Sequence, residues 1–318
     1  MAPQIARLTS EHVPEAAALV SARYRRLCLD IPELPPRYGE VDVVQPMLLN
    51  LVGAAPGFVA TKGGRLVGVL AGVTIPSFKG RRTVYCPEWA HASEQGARGI
   101  DERLYAAAAR AWADDGCSCH LISQLAGDPT ALDTWFFQGF GCLSIDALRD
   151  LGLPSVRQAA ANVRRATPTD LAALLTLSRG LSDHLASSPV FLASHPEPEE
   201  VLGSQLTDER FAVWLVEEEG RPVAFMRIGP ASHNACGIIV DEGTASITGA
   251  YAEPRARRKG IAATLLRACV AWAKEQGYVR CAVDCESANV EGRRFWLRHF
   301  APICYGLMRC MDEAALTG

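Results

Sequence analysis

Between Ile247 and Trp272 the chain reads ITGAYAEPRARRKGIAATLLRACVAW, and few folds accommodate such a stretch. Ile247, Ala250, Tyr251 and Ala252 form an apolar, strand-like run that ends at Pro254, a residue with no N–H for a sheet ladder. Four cations follow, Arg255, Arg257, Arg258 and Lys259, and then Gly260. Ile261, Leu265, Ala268 or Cys269, and Trp272 recur at three- and four-residue spacing, which predicts a helix with one buried stripe. A strand, a basic turn and a helix start bring unpaired backbone N–H groups and the positive end of a helix dipole to one point. That point suits a phosphate, because Gly260 permits close approach and the arginines add charge-assisted contacts. The same residues also read as a solvated basic turn that precedes a helix.

Arg257-Arg258-Lys259-Gly260-Ile261-Ala262 resembles the R-x-x-G-x-G/A signature of the GNAT (N-acetyltransferase) superfamily, where this turn cradles the pyrophosphate of acetyl-CoA. Ala252-Glu253-Pro254 is similar to that family's V-x-P strand end. Downstream, the strand Tyr278 to Cys285, then Asn289, Phe295-Trp296 and Phe300 resemble the family's strand, asparagine, short helix and aromatic pair. The resemblance implies acetyl-CoA as co-substrate, held by these turn and strand-end residues with Asn289, Phe295 and Trp296, and an amine of a small molecule or peptide as acceptor. It also implies that the backbone N–H of Ala252 meets the thioester carbonyl, and that Asn289 contacts the pantetheine arm or a catalytic water. Asn289 reads equally well as a helix N-cap.

The chain departs from the family pattern twice. Trp296 stands where many members carry a tyrosine that protonates the thiolate, and Thr248 lies near where many carry a glutamate base. Candidate substitutes are the phenols of Tyr251 and Tyr305, then Cys285, Asp284, Glu286 and His299. His184, His195 and His233 lie where a substrate would bind, in surroundings typical of surface histidines. The missing acid and base leave a second class open, a non-catalytic acyl-CoA-binding or regulatory module.

At 318 residues the chain exceeds one typical domain, and its order of elements repeats. A strand near Ile5 leads to helices up to Leu27 and from Val41, a hairpin about Gly63-Gly64, a strand to Cys86, the helix Ile100 to Ala113, and then strand, helix and closing strand to Leu148. The same order returns from Val163 and ends in β structure from Ile303 to Cys310. The expected architecture is α/β (α+β): two tandem GNAT-like units, 1–152 and 153–318, joined near Gly152 to Ala161. Each is expected to be a mixed, mainly antiparallel twisted sheet flanked by helices. Aligning the central helices sets Gly99 against Gly260, Gly96 against Arg257 and Asp101 against Ala262. An aspartate there would repel a diphosphate, so the first copy is expected to be degenerate and the second catalytic.

A net charge of −3 argues against a nucleic-acid partner. Neither a dinucleotide G-x-G-x-x-G, a P-loop nor a G-x-S-x-G elbow is present. No apolar run reaches the ~18 residues of a membrane span, and the first residues lack a signal-peptide profile, so a cytoplasmic protein without membrane partners is expected. The eleven cysteines include no C-x-x-C pair and are expected to be reduced core residues, with no metal site. A monomer or a homodimer is expected.

Overall fold

The computed structural model describes residues 2–94, 99–152, 162–193, 195–231, 236–312 and 314. The junction at 153–161, Gly96 and His233 lie outside the described residues. In chain order the first elements are β1 (Gln4–Arg7), α1 (Val13–Asp30), α2 (Val41–Leu49), β2 (Phe58–Lys62), β3 (Arg65–Leu70), β4 (Val73–Phe78), β5 (Arg81–Cys86), β6 (His91–Ser93), α3 (Ile100–Asp114), β7 (Cys119–Leu125), α4 (Pro129–Phe137) and β8 (Gly141–Asp150). The remainder are β9 (Asn162–Arg165), α5 (Leu171–Ala186), α6 (Glu199–Thr207), β10 (Ala212–Glu218), β11 (Arg221–Pro230), β12 (Thr244–Ala252), α7 (Ile261–Glu275), β13 (Arg280–Glu286), α8 (Val290–His299) and β14 (Ala301–Cys310). Both first helices open with the same device, a capping box on Thr9 or Thr167 that closes a short 3-10 turn. Among the described residues no helix is long and apolar enough to cross a membrane.

Two compact units result, but not by a single cut at 152/153. Unit 1 comprises Met1–Ile145, Cys236–Ile238 and Pro302–Gly318, and unit 2 comprises Asp146–Ala235 and Ile239–Ala301. The closing strands are exchanged. β14 follows α8 in sequence yet pairs antiparallel with β7 in unit 1, from Cys304↔Leu125 to Cys310↔Cys119. The second half of β8 belongs to unit 2, where Leu151 N–H donates to the Val279 carbonyl at 3.0 Å.

The exchange corrects one expectation. Cys119 and Cys310 stand opposite each other in the β7–β14 register, with Cα atoms 4.3 Å apart, and are joined as a disulfide. Cys269 and Cys281 are buried free thiols as expected, whereas Cys142 is exposed. Two strands of unit 1, β4 and β6, go beyond the sequence reading. β4 carries Pro76 and is an edge strand whose register breaks between Ile75 and Phe78, a setting that tolerates proline. β6 is only three residues long.

In unit 2 the mixed sheet has helices on both faces, and strand alternation assigns the sides. Ala212, Trp214 and Val216 of β10 and Ala224, Met226 and Ile228 of β11 pack with α7, whereas Val213, Leu215 and Phe225 pack with α5 and α6. On α7 the buried set includes Ile261, Leu265, Leu266, Cys269, Val270, Trp272 and Ala273. Each large apolar side chain there contributes about 1.5–3 kcal/mol, which fixes the helix start relative to the end of β12.

Candidate active site

β12 pairs with β11 to its end, but it pairs with parallel β13 only from Thr244↔Arg280 to Ile247↔Val283. Past that point both strands continue without pairing to each other, and a gap opens between them. A bulge marks the parting: Arg227 stands opposite Gly249 and Ile228 opposite Ile247, so Thr248 has no partner in the ladder. The buried Arg227 guanidinium pins it, with Nε donating to Thr248 Oγ1 at 2.9 Å and Nη2 to the Thr248 carbonyl at 3.0 Å. Its Nη1 donates to Glu197 at 2.6 Å and to Gln205 at 2.8 Å. The Thr248 hydroxyl is therefore part of the support for the bulge.

Hydrogen-bond alternation tells which backbone groups face the gap. Glu253 N–H donates to the Val223 carbonyl at 3.0 Å, which makes that pair the bonded one and the neighbouring Ala252↔Ala224 pair the unbonded one. The N–H and C=O of Ala252, and of Ala250 two residues earlier, thus point away from β11. Consistently, the Ala252 carbonyl accepts from Arg257 Nε at 3.1 Å.

Beyond β12, Pro254–Ala256 forms a 3-10 turn, Arg258 takes φ 61°, and Gly260 precedes α7 at φ 79°. Glycine is suited to that left-handed position. The Gly260 cap brings no side chain to the start of α7, so the first N–H groups stay available to an anion. Three of the turn's cations are held by carboxylates: Arg255 by Glu253 at 2.9 Å, Arg257 by Glu291 at 2.6 Å and Lys259 by Glu218 at 2.8 Å. Arg258 is exposed and, among the described residues, has no ion pair. Solvent-exposed pairs contribute only ~0–1 kcal/mol, so an anion at this turn can recruit these cations at small cost.

A cavity of about 160 Å³ opens beside the end of β12, walled by Leu181, His184, Tyr251, Ala252, Arg257 and Asn289 among others. The Tyr251 ring packs under α5 at Gly180, where a Cβ would sit 2.8 Å from the ring, and the Arg257 guanidinium lies 5.7 Å from the ring centroid. Asn289 caps α8, its Oδ1 accepting from Gly292 N–H at 3.2 Å, and the same oxygen lies 3.4 Å from His184 Nε2. A larger cavity of about 450 Å³ in unit 1, around Gly53–Gly57, has Arg7, Arg82 and Asp115 in its wall, and Arg82 is spent on the Asp115 carbonyl at 3.1 Å. Its described lining offers no convergent acid and base.

A strand that splays at a bulge, an uncapped helix behind a glycine turn and a cavity between them can hold an extended anionic ligand. Residues 180–300 match the acetyltransferase (GNAT) family. Unit 2 is a GNAT-family unit. Among solved structures, a GCN5-related N-acetyltransferase from Sphaerobacter thermophilus superposes with a TM-score of 0.57 at 14% identity, covering 97% of this chain and 95% of that one. A GCN5-related glucosamine N-acetyltransferase region of a fungal multi-domain GH3 beta-N-acetylglucosaminidase gives 0.55 at 14% identity, covering 97% of this chain and 38% of that one. At such identities the likeness is one of fold. Curated proteins yield no match.

Within the GNAT unit, Tyr251, Ala252, Arg257, Ala262, Asn289, Phe295 and Trp296 all line the cavity. Other expected residues do different work. Ile261 is buried in the core, Glu253 bridges Arg221 at 2.6 Å and Arg255, and Lys259 reaches Glu218. Trp296, 8% exposed, stacks edge-on with Phe295 and Phe300, so it is a core residue with one edge at the cavity. Tyr305 lies on β14 in unit 1, opposite Gln124 and against that unit's core, and burial raises its pKa. The Asp284 side chain is open to solvent; desolvation by surrounding protein pushes its carboxyl up, an effect that its exposure limits. Burial, then Arg149 and Arg298, lower the His299 pKa. Two cavity residues exceed the sequence reading: Glu291 carries no signal there, and His184 reads as a surface histidine, yet both stand in the wall. For His184 a signal existed: Leu174, Leu177, Leu181 and His184 follow one another at three- and four-residue steps along α5.

Unit 1 treats the equivalent place differently. The job of β12 is split, with β5 pairing parallel to β7 and β6 pairing with β3. Counted from the hairpin arginines Arg65 and Arg221, Gly68 matches Ala224, so their strand partners Ser93 and Ala252 match as well. On the same count His91 matches Ala250, and Asp128, like Asn289, caps a helix by accepting from the residue three on. Counted from the capping threonines, Arg23 matches Leu181. The cavity wall of unit 2 is thus replaced by polar and charged residues. Arg23 donates to the His91 carbonyl at 2.9 Å and lies 3.7 Å from Asp128, and Ser93 donates to Asp101 at 2.9 Å.

Proposed function

We propose that the GNAT unit transfers an acetyl group from acetyl-CoA directly to a primary amine of a small molecule or peptide. The observation that carries this reading is the open edge of β12, where Ala250 and Ala252 turn their N–H groups into the gap just ahead of an uncapped helix start. The pyrophosphate would lie against the backbone from Arg257 to Ala262, with Arg258 free to contact it. The pantetheine arm would follow the gap, and the Ala252 N–H would polarise the thioester carbonyl, stabilising the oxyanion as the amine attacks. The cavity is smaller than the ~300–1,000 Å³ of drug-sized pockets and suits an acyl end.

The test is calorimetry with acetyl-CoA followed by thiol release against a panel of primary amines that includes glucosamine. Tight binding with turnover of at least one amine supports the transferase. Binding without turnover across broad panels favours a non-catalytic acyl-CoA-binding module instead.

Unit 1, with its place filled by Arg23, Asp101 and Asp128, serves in this reading as a non-binding copy. One acetyl-CoA per chain and an unchanged affinity in Asp101→Asn are the expected calorimetric results. A second site, or a large change on that substitution, would refute the non-binding copy.

A further inference from the structure

We propose that His184 is the general base that deprotonates the acceptor amine, an assignment that rests on the transferase reading above. Among the described residues it is the one histidine in the cavity wall, at the last turn of α5, four residues past the glycine that seats Tyr251. Its protonation geometry follows from its neighbour. Asn289 must present its oxygen toward Gly292 N–H to cap α8, so the atom 3.4 Å from His184 Nε2 is an acceptor. A neutral imidazole facing an acceptor must carry its proton on that nitrogen, which leaves the Nδ1 lone pair unprotonated and able to accept. Asn289 thereby acts as a positioning residue for the ring. The other titratable or charged groups of the wall are Tyr251 on β12, Arg257 in the turn and Glu291 on α8, and Arg257 and Glu291 are already paired with each other.

The other candidates in the GNAT unit are less well placed. Thr248 is tied to Arg227, His299 packs against Phe295 at 5.0 Å, and neither Asp284 nor Cys285 lines the cavity.

An alkylammonium gives one proton to His184 Nδ1, and the resulting neutral nitrogen attacks the thioester carbonyl, forming the C–N bond. As the tetrahedral adduct collapses the C–S bond breaks, and the proton lost from the new amide nitrogen neutralises the CoA thiolate. His184 then releases its proton to solvent, giving amide, CoA thiol and one net proton.

The test compares two acceptors with acetyl-CoA: the panel amine that the wild-type protein turns over fastest, an alkylammonium at neutral pH (pKa ~10.4 for a lysine-like amine), and hydroxylamine, which is largely neutral there. His184→Ala and His184→Gln are used together, because glutamine keeps an N–H donor toward Asn289. In both variants kcat for the alkylamine should fall about 10²- to 10⁴-fold. Hydroxylamine transfer should stay within a few-fold, and calorimetric acetyl-CoA affinity should be unchanged. Parallel loss on both acceptors, or no loss on either, overturns the assignment, as does a wild-type protein that binds acetyl-CoA but turns over no amine. A wild-type protein that gives no acetyl-CoA heat overturns the transferase reading itself.

Discussion

Arg258→Glu, and more strongly the double change Arg257→Glu with Arg258→Glu, is expected to weaken acetyl-CoA binding by on the order of 100-fold or more. Each charge-assisted hydrogen bond to an ionised group contributes about 1.5–3 kcal/mol, and reversal replaces attraction by repulsion. The two positions differ in what else they support. Arg257 also holds the Ala252 carbonyl at 3.1 Å and Glu291 at 2.6 Å, so its loss frees the end of β12 and the first turn of α8. Arg258 is exposed and, among the described residues, without an ion pair, so its reversal should leave thermal stability within ~0.5 kcal/mol. The single variant therefore separates binding from folding. The remaining affinity should also fall with added salt, as expected of an exposed anion site. Unchanged heats of binding in Arg258→Glu and in the double variant would remove the diphosphate from this turn.

Acid should destabilise unit 1 well before ordinary carboxylates titrate. His91 is buried, with Nε2 against the Ser123 carbonyl at 2.9 Å and Nδ1 3.5 Å from the Arg23 guanidinium. Desolvation first, then Arg23, lower its pKa to about 3. His120, its Nδ1 2.8 Å from the Tyr105 hydroxyl and its ring 4.8 Å from Trp112, is lowered to about 4 by desolvation and then by Arg309. In the unfolded chain both titrate at about 6.5. Between that value and the folded ones the unfolded state binds more protons, so stability is present above about pH 6.5 and drains away as pH falls. Each tenfold weakening of proton binding in the folded state corresponds to about 1.4 kcal/mol, so the pair amounts to several kcal/mol against a typical ~5–15 kcal/mol total. Glu88 and Asp101, whose carboxyls burial raises, act in the opposite sense between their raised folded values and the ordinary carboxylate range, and so offset part of this loss. Tm followed from pH 7.5 to 4.5 measures this, and His120→Phe should flatten the decline. Parallel Tm curves for the two proteins would mean that His120 does not drive it.

The stretch from Ile247 to Trp272 was legible because its signals are local. Alternation, a proline stop, cations, a glycine and 3.6-residue periodicity all lie within a few turns, and β12, the basic turn and α7 follow them. Asn289 could be read in advance as a cap for the same reason, since its partner is three residues away. The repeat was read from element order, and matching capping boxes at Thr9 and Thr167 precede α1 and α5.

What the tertiary structure alone decided is everything that depends on distant partners. No local pattern shows that β14 pairs with β7, and so none shows that Cys310 meets Cys119 across 191 residues of chain. The gap beyond Ile247 exists because β13 pairs with β12 over only part of its length, and pairing extent is not written in either strand. In the sequence Thr248 reads as a vacant base position, whereas in the fold Arg227, twenty-one residues earlier, donates to its hydroxyl. Sequence determined the segments because their codes are short-ranged; the fold determined the site because its gap, its fixed imidazole and its filled counterpart in unit 1 each arise where non-neighbouring segments meet.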